Sequence, residues 1–431
     1  MKWQALTVRQ VVYVAVAVSI LAAVAGVLVL ARDFANAFAD SPSDPKCKDE
    51  IAPPPPPKSD PVPGGGVKML ALGGNTSCAR MADHSIWCWG DGRGLQAWSS
   101  LLGLTLDKPT EILPASPRKN FLLGGFTRCE ITAEDQARCT IRKAGPSADL
   151  DSEVIFDLPN TKHLVVGAHH ACAIREHEQE GLWCWGANDS KQIIDSSSDL
   201  LAIPTRTAFA PSGSIENVAV GDAFTCARSL GQNAECWGSN RFGQLGGGVK
   251  DNSISHATVM QTESTVQLVA GNNHVCALSN DGHIRCWGAN SFGQLGDGTT
   301  ENRSSPVEVK GFDGPAQQIV ASSNRTCALM ATGMVYCWGA PLRCSPGYEC
   351  DGLLVPARIL DLNDIVDLSL GEHHACALHR DGSVACWGEN DSRQVSARMP
   401  FRKEQVGRQK NCFPTIFVEE HGTDNPMPVI W

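Results

Sequence analysis

Beyond residue 66 the apolar and polar positions alternate in short runs that come in pairs around a tight turn. Cys276-Ala277-Leu278-Ser279 alternates inward, Asn280-Asp281-Gly282 turns, and His283-Ile284-Arg285-Cys286-Trp287-Gly288 alternates back. A period of two predicts half-buried strands, and Asp-Gly between them predicts a hairpin with glycine in the left-handed position of a three-residue loop. Centring the turn on Asp281 sets Leu278 opposite Ile284 and Cys276 opposite Cys286. The pair flanking the loop, Ser279 and His283, is then hydrogen-bonded, so alternation makes the cysteines a non-hydrogen-bonded pair with Cα atoms about 4.5 Å apart, within disulfide reach.

The same unit recurs seven times, pairing Cys78 with Cys88, Cys129 with Cys139, Cys172 with Cys184, Cys226 with Cys236, Cys276 with Cys286, Cys327 with Cys337 and Cys376 with Cys386. Successive first cysteines lie 51, 43, 54, 50, 51 and 49 residues apart, a period that signals propeller blades or solenoid turns. In six units a tryptophan follows the second cysteine: Trp89, Trp185, Trp237, Trp287, Trp338 and Trp387. It points to the strand face opposite that cysteine and is expected to pack between neighbouring units, with the next glycine allowing close backbone approach. A ligand-binding ring of aromatics is the functional alternative.

The N-terminal pattern is different. Lys2 and Arg9 precede an uncharged run from Val11 to Ala31, which as a helix spans roughly 31 Å, the hydrocarbon thickness of a bilayer. Residues 1–10 are expected to stay in the cytoplasm and 11–31 to form a signal anchor; cleavage near Ala35-Asn36-Ala37, releasing a secreted protein, is the alternative. Residues 32–66 form a linker in which Pro53 to Pro57 and Gly64 to Gly66 predict a semi-rigid stalk.

Two units continue into Gly288-Ala289-Asn290-Ser291-Phe292-Gly293-Gln294-Leu295-Gly296 and Gly238-Ser239-Asn240-Arg241-Phe242-Gly243-Gln244-Leu245-Gly246. With Gly271-x-x-His274-x-Cys276-Ala277-Leu278 this resembles the repeat of the regulator of chromosome condensation family, and the cysteine-rich version is similar to exported bacterial members. The resemblance implies an all-β, seven-bladed β-propeller over residues 67–412, followed by a tail at 413–431. Unit two lacks the Trp-Gly, and units one, three, six and seven lack Gly-Gln-Leu-Gly, so their loops are expected to be rebuilt. The family's best-known activity, nucleotide exchange on a nuclear GTPase beside chromatin, is not carried over, because no functional residue of it maps onto this sequence. Other members are plain binding modules, including a secreted inhibitor that grips its enzyme with loops of one propeller face.

Composition sharpens the picture. Eighteen cysteines in 431 residues point to an oxidising compartment. A formal net charge of -10 with no basic block argues against nucleic acid. No clustered pair of cysteine pairs suggests zinc, no P-loop, G-x-S-x-G or H-E-x-x-H pattern is present, and neither metal, cofactor nor catalysis is expected. His170, His274 and His374 precede the first cysteine of their units by two residues, with His169 and His373 beside two of them; Thr76, Thr127, Phe224 and Arg325 occupy the position elsewhere. These histidines are read as parts of the repeat bonding local backbone. Cys344 and Cys350 enclose Tyr348 in an insert of unit six, expected to be a disulfide-closed loop with Tyr348 as a candidate contact. Cys47 and Cys412 remain, and in a closed ring they are expected to pair as a clasp; a covalent dimer through Cys47 is the alternative. The function expected is a membrane-anchored, extracytoplasmic, periplasmic or surface-exposed module that binds a protein partner through its blade loops. The alternative is a carbohydrate-binding protein or a hydrolase or lyase of the envelope acting in the central channel.

Overall fold

A computed structural model describes residues 66–91, 105–124, 127–142, 153–176, 181–252, 255–341, 352–359, 362–389 and 422–428. The expected span at 11–31, Cys47, the insert bounded by Cys344 and Cys350 with its Tyr348, and Cys412 lie outside them. Among the described residues no helix is long and apolar enough to cross a membrane.

The described strands form seven antiparallel four-stranded sheets, each in sequence order from an inner strand to an outer one. Blade 5 is typical, with strands Thr265–Ala270, His274–Ser279, Ile284–Gly288 and Arg303–Glu308. Its hairpin has the register read from the turn, Cys276 opposite Cys286 and Leu278 opposite Ile284, with Ser279 N donating to His283 O at 2.9 Å and Gly282 at φ +85°. Blades 1 and 2 put His84 and Asp135 in the same left-handed position.

All seven expected hairpin disulfides are formed, with Cα atoms 4.1–4.2 Å apart. Cys78 is bonded to Cys88, Cys129 to Cys139, Cys172 to Cys184 and Cys226 to Cys236. Cys276 is bonded to Cys286, Cys327 to Cys337 and Cys376 to Cys386. The Cys172 and Cys184 pair is separated by 12 positions instead of 10, yet keeps the directly opposed register of the others. The two extra residues are therefore absorbed at the hairpin end and not in the ladder. The Cα separation is slightly below the 4.5 Å expected of a non-hydrogen-bonded pair, because the bridge draws the two strands together.

The core lies between blades rather than within them. Each hairpin turns its disulfide toward the next blade, and six of them turn a tryptophan toward the previous one, because adjacent residues of a strand face opposite ways. Trp287 therefore packs on Cys226 and Cys236, and Trp338 on Cys276 and Cys286. In the same way Trp185 packs on Cys129 and Cys139, Trp237 on Cys172 and Cys184, and Trp387 on Cys327 and Cys337. Trp89 packs on Cys376, Leu378 and Cys386, which closes the ring between blades 1 and 7. Gly288, at φ +104°, has no room for a Cβ against Asn273 O and His274 Cα.

The tail expected at 413–431 is corrected by the last strand, Gly422–Pro428, which pairs with Val384–Glu389 as the outer strand of blade 7. Without it the third strand of that blade would keep an unpaired edge.

Candidate functional site: the central channel and the loop face

Seven inner strands surround a central channel with a volume of about 640 Å³. Each carries a one-residue bulge at its second position, such as Val266 between Thr265 and Gln267. A bulge re-aims the following side chain, and here the third residues of six strands line the channel: Met69, Asn120, His163, Asn217, Gln267 and Gln318. Asp367 holds the same position in blade 7.

Some of these side chains staple one blade to the next. Gln267 accepts from Ile319 N at 2.9 Å and donates to Ile319 O at 2.9 Å. Gln318 makes the same two bonds to Leu368, at 3.2 and 3.4 Å, and also donates to Asp367. Asp367 accepts from Leu70 N of blade 1 at 3.3 Å; burial pushes its carboxyl above the usual aspartate range, against the pull of these donors. At the loop-face mouth, backbone bonds run from Asp222 N to Asn272 O, Asn272 N to Ser323 O and Glu372 N to Gly74 O. His169 pairs with Asp222 at 2.9 Å, and His373 lies 3.8 Å from Glu372 and 3.9 Å from Glu389. Among the described residues no group of three or more His, Cys, Asp or Glu is placed to hold a metal ion.

His170, His274 and His374 are fully buried between blades. The expectation that they bond local backbone is corrected: Nε2 of each meets a hydroxyl of the next blade at 2.8 Å, on Thr225, Thr326 and Ser77 respectively. Thr225 and Thr326 themselves donate to Gln192 O and Gln294 O, so these two accept from Nε2–H of His170 and His274. Burial holds all three histidines down to about 3 from an ordinary 6.5. Between those values the unfolded chain binds protons that the folded ring refuses, so stability is complete above pH 6.5 and falls as pH drops through the window. Urea unfolding across this range is expected to show that decline, with His274→Gln lowering its slope by one proton; an unchanged slope would contradict the assignment.

On the loop face, Asn290 Oδ1 accepts from Leu295 N at 2.9 Å, its amide donates to Thr299 O, and Gln294 Oε1 accepts from Phe292 N. Blade 4 repeats this with Asn240 and Gln244. Blade 3 does so too, against expectation: Asn188 Oδ1 accepts from Ile193 N and Gln192 Oε1 from Ser190 N. Lys191 takes the left-handed position of Gly243 and Gly293. The legible signal was Asn188-x-x-x-Gln192-Ile193, which matches Asn-x-x-x-Gln-Leu.

A model of the regulator of chromosome condensation (RCC1) repeat matches residues 281–329, and a second model of that repeat matches 266–294 and 365–394. The chain carries repeats of the RCC1 type over residues 266–329 and 365–394. It is 28% identical over 235 residues to the ultraviolet-B receptor UVR8 of Arabidopsis thaliana, 53% of each chain. It is 30% identical over 93 residues to the guanine nucleotide exchange factor SRM1 of Saccharomyces cerevisiae, 20% of this chain and 19% of that one. The chain thus spans about half the length of the first curated relative and about a fifth of the second. Among solved structures, yeast RCC1 (Prp20) bound to Kap60 is similar with a TM-score of 0.62 at 16% identity, covering 84% of this chain and 85% of that one. Prp20p of Saccharomyces cerevisiae gives 0.63 at 16%, covering 85% and 87%. These two show the fold.

Within this RCC1-type ring, the long loops of blades 4 and 5 grip the outer strand of the next blade. Gly248 N donates to Ser304 O, and one blade on Gly298 N donates to Leu354 O at 3.0 Å. Where blade 5 presents Ser304 and Ser305, blade 6 presents Leu354 and Val355. With Leu353 and Phe292 these are 37–48% exposed, an apolar strip across blades 5 and 6 that the sequence reading missed.

Proposed function

We propose that the propeller is an extracytoplasmic binding module, tethered to a membrane through residues 11–31, that holds a protein partner on its loop face without catalysis. The observation that carries this reading is the apolar strip of Phe292, Leu353, Leu354 and Val355, since contiguous exposed apolar surface on a rigid platform marks interaction sites. The seven disulfides support an oxidising compartment, and the fold relative yeast RCC1 was solved bound to Kap60. Tyr348, in the insert that precedes Leu353 in sequence, remains a candidate contact.

Crosslinking of the full chain in its native membrane is the test. A stoichiometric protein partner is expected with the natural chain, and at least a tenfold lower yield with Leu354→Asp, since a carboxylate on the strip loses its charge-solvating water on docking. Equal recovery with Leu354→Asp would remove the strip from the interface. Release of the propeller in soluble form without extraction of the membrane would refute the anchor.

A further inference from the structure

The staples around the channel stop partway. In blades 6, 7 and 1 the fourth residue of the inner strand turns backbone groups to the channel, and the side chain of the preceding blade caps them: Gln267 on Ile319, Gln318 on Leu368, Asp367 on Leu70. Leu164, Val218 and Leu268 of blades 3, 4 and 5 occupy the same register, opposite Ala173, Ala227 and Ala277 as Ile319 is opposite Ala328. Antiparallel alternation therefore aims their N–H and C=O groups at the channel as well. The preceding side chains fail to cap them. Asn120 accepts from its own neighbour, Phe121 N, at 2.8 Å. His163 is exposed on the channel wall and makes no bond to Val218, and Asn217 is a methylene shorter than the glutamines that reach across.

We propose that this uncapped arc, formed by Leu164, Val218 and Leu268 backbone with the His163 and Asn217 side chains, binds a small neutral pyranose sugar within the channel. Three donor–acceptor pairs lie at one level on three neighbouring strands, and the hydroxyls of a sugar ring radiate at one level, each able both to donate and to accept. An extended peptide alternates its groups along an axis and meets such a ring at one level only. An apolar ligand would leave the three peptide groups dehydrated and unpaired, which is costly. A charged ligand finds no counter-charge in the arc: burial lowers the proton affinity of His163, Lys162 is paired outside with Glu176 at 3.0 Å, and Asp222 is held by His169. The volume of about 640 Å³ suits a mono- or disaccharide.

The staple pattern supplies the test. Asn217→Gln is expected to reach Leu268 N and O as Gln267 reaches Ile319, joining blades 4 and 5 and closing part of the arc. Isothermal titration of the full chain with glucose, galactose, mannose, N-acetylglucosamine, maltose, lactose and cellobiose is expected to find at least one ligand binding with one-to-one stoichiometry. Asn217→Gln is expected to weaken that ligand at least tenfold while raising the melting temperature. His163→Ala, which removes a ligand group without adding a staple, is expected to weaken it similarly and serves if the first variant does not fold. No binding by any of the seven sugars, or binding unchanged in both variants, would overturn the proposal. Loss of partner crosslinking in Leu354→Asp leaves this result untouched, because the strip and the arc share no residue.

Discussion

A fully reduced and unfolded chain, returned to native buffer with a thiol present, is expected not to regain the propeller. In the chain-entropy account each hairpin bridge of about ten residues contributes roughly 2 to 3 kcal/mol, an upper value because the unfolded chain retains structure. Seven such terms together match or exceed the whole net stability of an ordinary domain, roughly 5 to 15 kcal/mol. The native protein, by contrast, is expected to tolerate the same thiol, because the fourteen sulfurs lie buried between blades and a thiolate must reach one to attack it. Tryptophan fluorescence in urea, with and without dithiothreitol, distinguishes the two states. Recovery of the native signal under reducing conditions would show that apolar packing suffices alone.

Trp287→Ala is expected to destabilise the ring by about 3 to 5 kcal/mol, the cost of emptying a large buried aromatic site. Trp287 is fully buried, packs on Cys226, Cys236 and Leu245 of blade 4, and donates Nε1–H to Gln244 O at 3.0 Å. The replacement therefore leaves a cavity and orphans a buried carbonyl in a loop that already depends on its own side chains. Little collapse is available, because the flanking disulfide fixes the wall. Urea unfolding measures the loss; a value below about 1 kcal/mol would mean that the blades had slid together. Blade 2 already has Thr140 at this register and packs instead through Phe121 and Leu123 on Cys78 and Cys88.

Several inter-blade contacts were legible once the blades were placed in order. Wherever a blade has histidine two residues before its first cysteine, the next blade has a hydroxyl one residue before its own: His170 with Thr225, His274 with Thr326, His374 with Ser77. Where the first position is Phe224 or Arg325, the second is Val275 or Ala375. The last histidine pair joins residues 297 apart and marks the seam of the ring. The blade 7 outer strand at Gly422–Pro428 was not legible, since it carries neither clear alternation nor a turn signal tying it to Val384–Glu389.

The number of blades, the hairpin register, the seven cysteine pairs and the opposed facing of cysteine and tryptophan were all readable from the order of residues alone. All of these are contacts within about a dozen residues, where a period of two and one turn leave a single arrangement. Which third residues reach across the channel, that the glutamines of blades 5 and 6 cap their neighbours while Asn217 and His163 do not, and that Leu354 lies against Gly293 could be seen only in the folded ring. Those outcomes depend on the angle and spacing between blades, and that geometry is set by the packing of tryptophans and disulfides around the whole ring.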